Sequence, residues 1–125
     1  MGMGYLYEEK TYQIIGAAQE VHRELGAGFL EVVYQDSLEI EFQRQQIPNH
    51  RECPLPIFYK GVRLNRTYNA DFLCFDQIIV ETKAVRMLVK EFEAQTLNYL
   101  KATKLRLGLL INFGEPSLKV KRIIN

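Results

Sequence analysis

Residues 68 to 85 read Tyr-Asn-Ala-Asp-Phe-Leu-Cys-Phe-Asp-Gln-Ile-Ile-Val-Glu-Thr-Lys-Ala-Val. Two apolar runs, Phe72 to Phe75 and Ile78 to Val80, flank the polar pair Asp76-Gln77. Runs of Ile, Val and Phe around a short polar break are the pattern of a β-hairpin. A turn on Phe75, Asp76 and Gln77 sets Cys74 opposite Ile78, Leu73 opposite Ile79, Phe72 opposite Val80, and Asp71 opposite Glu81. Lys83 stands two residues beyond Glu81, and side chains two apart on a strand share a face. Asp71, Glu81 and Lys83 are therefore expected together on one face of an otherwise apolar hairpin.

Directly opposed side chains in an antiparallel pair lie about 5 Å apart at Cβ, and like charges there repel. An unpaired carboxylate buried at such a place is costly, or its pKa rises until it neutralises. Two arrangements relieve the repulsion. Lys83 can form a salt bridge with either acid at the hairpin's edge, or the acids can share a divalent cation. Mg²⁺ takes oxygen ligands and is typically held by one or two carboxylates plus water. Three charges converging between apolar strands favour the second arrangement, with the lysine facing a water or a phosphate.

The 125 residues suit one domain, residues 1–125, with a core of its own. Apolar content of 47% with 25% charged is that of an ordinary globular protein and excludes disorder for most of the chain. A net charge of +1 exerts no global pull on nucleic acid, so binding of that kind requires a local basic patch. Cys53 and Cys74 show no CxxC spacing and suggest neither a zinc site nor a disulfide framework. No apolar run approaches the roughly 18 residues of a membrane span, and no basic-then-apolar leader opens the sequence. Met1-Gly2 invites myristoylation, but Leu6 stands where Ser or Thr is needed. The expectation is a cytoplasmic protein with no membrane partner.

Met1 to Tyr7 read as an arm or strap. From Glu8 to Leu25, Ile14, Ala18, Val21 and Leu25 recur at helical spacing, with Ile15 adjoining. His22 beside that stripe is read as a packing residue. Gly26-Ala27-Gly28 ends this helix. A second helix is expected over Phe29 to Gln45, with Leu30, Val33, Tyr34, Leu38 and Phe42 as its apolar face. Glu31 in its first turn is explained by the helix macrodipole alone. Pro54 and Pro56 mark an edge or irregular strand start, Ile57 to Tyr59 a short strand, and Lys60-Gly61 a tight turn. Arg63 and Arg66 alternate with apolar residues, a pattern that suits either a groove lining or a solvated strand. A third helix spans Lys90 to Thr103, with Phe92, Gln95 or Thr96, Tyr99 and Thr103 on one face. Leu105 to Asn112 is a buried strand, parallel to Ile78–Lys83 because a helix separates the two. Leu118 to Ile124 is a last, edge strand. The order gives an α/β or α+β fold, a mixed sheet with helices on its faces.

Asp71 followed by Glu81-Thr82-Lys83 resembles the catalytic pattern of the PD-(D/E)xK nuclease superfamily. Gly28-Phe29-Leu30-Glu31-Val32-Val33-Tyr34 resembles the name-giving motif of its small GxxExxY branch. Gln95-Thr96-Leu97-Asn98-Tyr99 is similar to the QxxxY element of RecB-like exonucleases. The likeness runs from about Ile14 to Asn125. Ala70 stands where the superfamily has proline, a residue without a chemical role. The resemblance implies a restriction-endonuclease-like sheet of about four core strands flanked by helices, with an extra edge hairpin. It implies that Asp71, Glu81 and the Thr82 carbonyl ligate Mg²⁺ or Mn²⁺, and that Lys83 positions water or stabilises the phosphate. Glu31 would be a further acid of the site and a possible metal ligand. Gln95 and Tyr99 would steady the lysine or contact DNA.

The function so implied is metal-dependent hydrolysis of DNA phosphodiesters. Lys83, Arg86 and Lys90 would offset the repulsion between an acidic site and a polyanion. The alternative is a non-catalytic nuclease-fold module that binds nucleic acid or a protein partner. A third reading is a structural protein in which the three charges form a salt-bridge knot. The small size makes a homodimer or a partner subunit plausible.

Overall fold

The computed structural model describes residues 6–125. The element order is α1 (Glu8–Leu25), α2 (Glu31–Arg44), β1 (Asn49–Tyr59), β2 (Val62–Cys74), β3 (Ile78–Lys83), α3 (Lys90–Thr103), β4 (Leu107–Asn112) and β5 (Lys119–Ile124). The strands form one sheet in the order β1-β2-β3-β4-β5. β3 and β4 are parallel, joined by α3, and every other pairing is antiparallel. This is the mixed, helix-flanked sheet expected. Among the described residues no helix is long and apolar enough to cross a membrane.

The hairpin forms in the register expected. Phe72 pairs with Val80, Leu73 with Ile79, and Cys74 with Ile78. The turn is tight because Phe75 and Asp76 both adopt left-handed backbone, and Gln77 N–H donates to the Cys74 carbonyl at 3.0 Å.

Helices α1 and α2 cover one face of the sheet. Ile14, Ala18 and Val21 of α1 and Tyr34, Leu38 and Phe42 of α2 pack on Phe72, Val80, Leu109 and Phe113. Phe42 meets Phe72 edge-on at 5.2 Å between ring centroids. The other face carries α3, whose Tyr99 and Leu100 pack with Leu55, Ala70 and Ile79. His22 is buried and hydrogen-bonds the Glu115 carbonyl at 2.9 Å, the packing role expected of it.

Three element starts depart from expectation. α2 starts at Glu31, and Leu30, placed on its apolar face by spacing, caps the helix with extended backbone and is 75% exposed. β1 starts at Asn49 rather than Ile57. Its prolines are tolerated because β1 is an edge strand and residues two apart direct their nitrogens the same way, outward. β4 begins at Leu107, two residues later than the apolar run. On α3, where spacing allows either Gln95 or Thr96 on the inner face, it is Thr96 that is buried. The arm expected at Met1 to Tyr7 lies outside the described residues except for Leu6 and Tyr7, which form a turn.

Candidate active site

The β2–β3 ladder stops at Phe72–Val80. One residue further on, side chains replace it. Asp71 N–H donates to Glu81 Oε2 at 2.7 Å, and Thr82 N–H donates to Asp71 Oδ2 at 2.8 Å. The Thr82 hydroxyl donates to the same Asp71 oxygen at 2.9 Å. Each acid thus satisfies a main-chain N–H that the diverging strands leave without a ladder partner. The Asp71 carboxylate consequently lies in the gap between the strands, in the plane of the sheet. The sequence places Asp71, Glu81 and Lys83 on one face; the structure keeps Glu81 and Lys83 on the α3 face and lets Asp71 reach round toward Thr82.

That gap joins the two faces. From the α2 side, Gln35 Nε2 donates to the Thr82 hydroxyl at 3.0 Å and to Glu31 Oε1 at 3.3 Å. Glu31 lies one turn before Gln35, so the same helix face brings both toward the end of β3. The loop before α2 is pinned by Tyr34. Its hydroxyl donates to the Gly26 carbonyl and accepts from Phe29 N–H, while its ring stacks on Phe113 at 4.7 Å. Gly28 has φ +113°, a backbone that side-chain-bearing residues rarely adopt. Gly28 and Tyr34 therefore shape the loop, and Glu31 is the residue that the loop delivers.

The electrostatics follow from this crowding. Glu81 is only 4% exposed, and burial pushes its carboxyl up to about 8. The Asp71 charge adds to the rise, and the Asp71 N–H and Lys83 oppose it. Glu31 is also raised, first by burial, with Lys83 lowering and Asp71 raising it. Lys83 makes no ion pair within 4 Å among the described residues. Its ammonium sits over the Phe92 ring, 4.4 Å from the centroid. The salt-bridge knot that the sequence allowed is therefore not built.

A family model described as the PD-(D/E)XK nuclease superfamily matches residues 8–123. The chain belongs to this superfamily. No curated protein matches it in sequence. A solved structure titled "Crystal structure of SSO0001" is similar at 14% identity and a TM-score of 0.49, covering 97% of this chain and 80% of that one. PD-(D/E)XK nucleases generally use divalent metal ions.

In this PD-(D/E)XK domain the donor set suits a cation held by two carboxylates. Asp71 and Glu81 each commit one oxygen to a main-chain N–H. Their other oxygens accept no hydrogen bond among the described residues. Thr82 N–H points toward β2, and the N–H and C=O of one strand residue leave on the same side. The Thr82 carbonyl is thus directed into the gap as well. Two carboxylates and a carbonyl match the oxygen-rich, partly hydrated coordination of Mg²⁺. Among the described residues no three Asp, Glu, His or Cys gather as a metal-holding group, so Glu31 neighbours the pair without closing a three-acid cluster.

The remaining residues expected in the site fall in two groups. Tyr99 is buried on α3, and its hydroxyl pKa is raised by burial and then by the charges of Glu81 and Asp71. Gln95 is exposed one turn away, lining a cleft of about 340 Å³ with Tyr68 and Tyr99. It makes no hydrogen bond to Lys83; Phe92 supports the lysine instead. Arg86 on the β3–α3 crossover and Lys90 at the start of α3 are exposed and form no ion pair with the acids.

Sequence reasoning missed Gln35, Phe92 and Asn112. Gln35 carried a usable signal, its four-residue spacing from Glu31. Phe92 was assigned to the α3 face but not to Lys83. Asn112 is fully buried and bonds both the N–H and the carbonyl of Val85, at 3.0 and 2.8 Å. It holds the crossover after Lys83 against the end of β4, a contact that no local pattern announces.

Proposed function

We propose that this chain is a metal-dependent nuclease of the GxxExxY kind that hydrolyses DNA phosphodiester bonds. The observation that carries the reading is the exchange of hydrogen bonds among Asp71, Glu81 and Thr82 where the ladder opens. It fixes the buried Glu81 and the half-buried Asp71 at the gap with one oxygen of each still available. Asp71, Glu81 and the Thr82 carbonyl would hold Mg²⁺ or Mn²⁺. A bound divalent cation lowers the pKa of its water and polarises the phosphoryl oxygen.

The protein's own residues do the rest. Lys83, with no ion-paired carboxylate, would face the phosphate or the attacking water, and Phe92 orients it. Glu31, held by Gln35, is a further acid that can accept a proton at the edge of the site. Tyr99 and Gln95 border the approach, and Arg86 and Lys90 add positive charge along it. Glu81 and Thr82 are buried, which strengthens the electrostatics at that end of the gap.

The test combines cleavage and stability. A mixed pool of single-stranded and duplex DNA should be cut in Mg²⁺ or Mn²⁺ and not in EDTA. The same cations should raise the melting temperature of the wild type, by an amount equivalent to about 2.7 kcal/mol at a hundredfold excess over Kd. Asp71→Asn keeps an acceptor for Thr82 N–H but removes the charge, so it should fold and lose both the cleavage and the metal response. Binding of DNA without cleavage by the wild type would instead assign a non-catalytic nuclease-fold module.

A further inference from the structure

Beyond the gap, β2 has no partner on its β3 side, and the β1–β2 hairpin continues alone. From Asn69 to Val62 it extends about 25 Å at the usual rise per strand residue. Residues 58 to 69 are all exposed. Between Glu52 and Asp71 the sequence has no acid, yet it carries Lys60, Arg63 and Arg66, a charge of +3 in a chain of net +1. At its tip Phe58 and Tyr59 are 57% and 62% exposed. The tip faces the C-terminal end of α3 across a cleft of about 690 Å³, lined by Phe58 and Lys60 on one side and Lys101 and Lys104 on the other. None of these five cations is in an ion pair among the described residues. At its base, Tyr68 meets Tyr99 in a tilted ring contact at 4.9 Å, and Tyr99 lies in the field of Glu81 and Asp71.

Charged residues on an open strand edge also protect it from pairing with other chains. That accounts for Arg63 and Arg66. It does not account for exposed aromatic rings at the tip, where the Lys60 ammonium lies 5.5 Å from the Tyr59 centroid, or for lysines converging there from a separate helix. A second copy of the chain is a poor occupant, because two acid-free arms would set like charges against each other. A polyanion that also offers ring faces answers both features. Unpaired bases stack on exposed aromatic side chains while cations track the backbone.

We propose that the β1–β2 arm and the end of α3 form a grip for single-stranded nucleic acid, which leads the strand past Tyr68 and Tyr99 to the Asp71–Glu81 gap. The direction of travel rests on the nuclease reading; the grip does not.

Binding is therefore measured without cleavage, by fluorescence anisotropy of the full chain in EDTA. The probes are a labelled dT oligonucleotide and the same strand annealed to its dA complement. The wild type should bind the single strand more tightly than the duplex. The triple variant Lys60→Gln/Arg63→Gln/Arg66→Gln should lower the slope of log K against log salt by about 2, at roughly 0.7 per cation for single strands. Phe58→Ala/Tyr59→Ala should weaken binding about tenfold or more, with the salt slope unchanged. All five positions are exposed, so both variants should melt like the wild type. Wild-type affinity in both variants, absence of binding by the wild type, or tighter binding of the duplex would each overturn the grip. So would a wild-type dimer that Phe58→Ala/Tyr59→Ala dissociates without changing affinity for the dT strand. Intact binding in EDTA with no cleavage in Mg²⁺ or Mn²⁺ would end the nuclease reading and leave the grip standing.

Discussion

The two ends of β2 handle charge in opposite ways. At the inner end, Asp71 lies against β3 and its carboxylate is bonded to Thr82 twice. At the outer end, Arg63 and Arg66 stand in solvent without an ion pair among the described residues. The difference is one of solvation. An acid held between strands is answered by hydrogen bonds, and these fix its position. An exposed cation is answered by water and remains available to whatever arrives. One strand thereby offers a rigid site at one end and an adaptable surface at the other.

The largest expected effect lies at the inner end. Replacing Lys83 by Met should lower the rate of metal-dependent DNA cleavage by about a hundredfold or more, the usual scale for losing a charge aimed at a reaction centre. Single-turnover cleavage of a labelled oligonucleotide reads it directly. A loss of only two- or threefold would mean that the inner end is no more specialised than the outer.

Next comes pH. The folded chain holds a proton on Glu81 up to about 8, whereas an ordinary carboxylate releases it near 4.5. The folded state therefore binds the extra proton between those values. The associated stability is fully present below the lower value and is lost as pH rises through the upper one. In EDTA the unfolding free energy should fall by an amount on the order of a few kcal/mol across this window. Urea melts at stepped pH would show it, and Glu81→Gln should flatten that part of the profile. A cation should bind more tightly at the alkaline end, because it displaces the proton.

Two glycines give a third contrast. A Cβ on Gly114 would stand 2.3 Å from the Val85 carbonyl oxygen and 2.4 Å from its nitrogen, beside the Asn112 clasp. Gly114→Ala should cost about 1–3 kcal/mol or more in denaturant melts, because backbone must shift. Gly61, at the arm's tip, has open space around it but φ +79°. Gly61→Ala should cost only about 1 kcal/mol, from backbone strain. Equal costs would show that the arm is packed as tightly as the gap.

The smallest effect concerns Phe92. Cation–π contacts contribute about 0.5–2 kcal/mol. Phe92→Leu should therefore slow cleavage several-fold while leaving Kd for DNA in EDTA unchanged.

The elements and the register near them were legible in the order of residues alone. α1 and α3 begin and end at the residues expected, because helical periodicity and terminal signals act over a few residues. The pairing of Phe72, Leu73 and Cys74 follows from the position of the turn, since a period of two leaves one register that buries both apolar runs. The parallel pairing of β3 with β4 follows from the intervening helix. Asp71, Glu81 and Lys83 stood out because their charge conflicts with the apolar runs around them.

How that conflict is resolved emerges from the packing of distant segments. The sequence left a salt bridge and a cation site as alternatives, and the folded chain pairs the acids with N–H groups and the lysine with Phe92. It also chose Thr96 over Gln95 for the inside of α3, because Thr96 meets the sheet directly across from Gly108, where there is no side chain to displace. Gln35 reaches Thr82 across 47 positions, and Asn112 reaches Val85 across 27. Such bonds depend on where strands diverge and which helix faces meet. Those are properties of packing, and no local period encodes them.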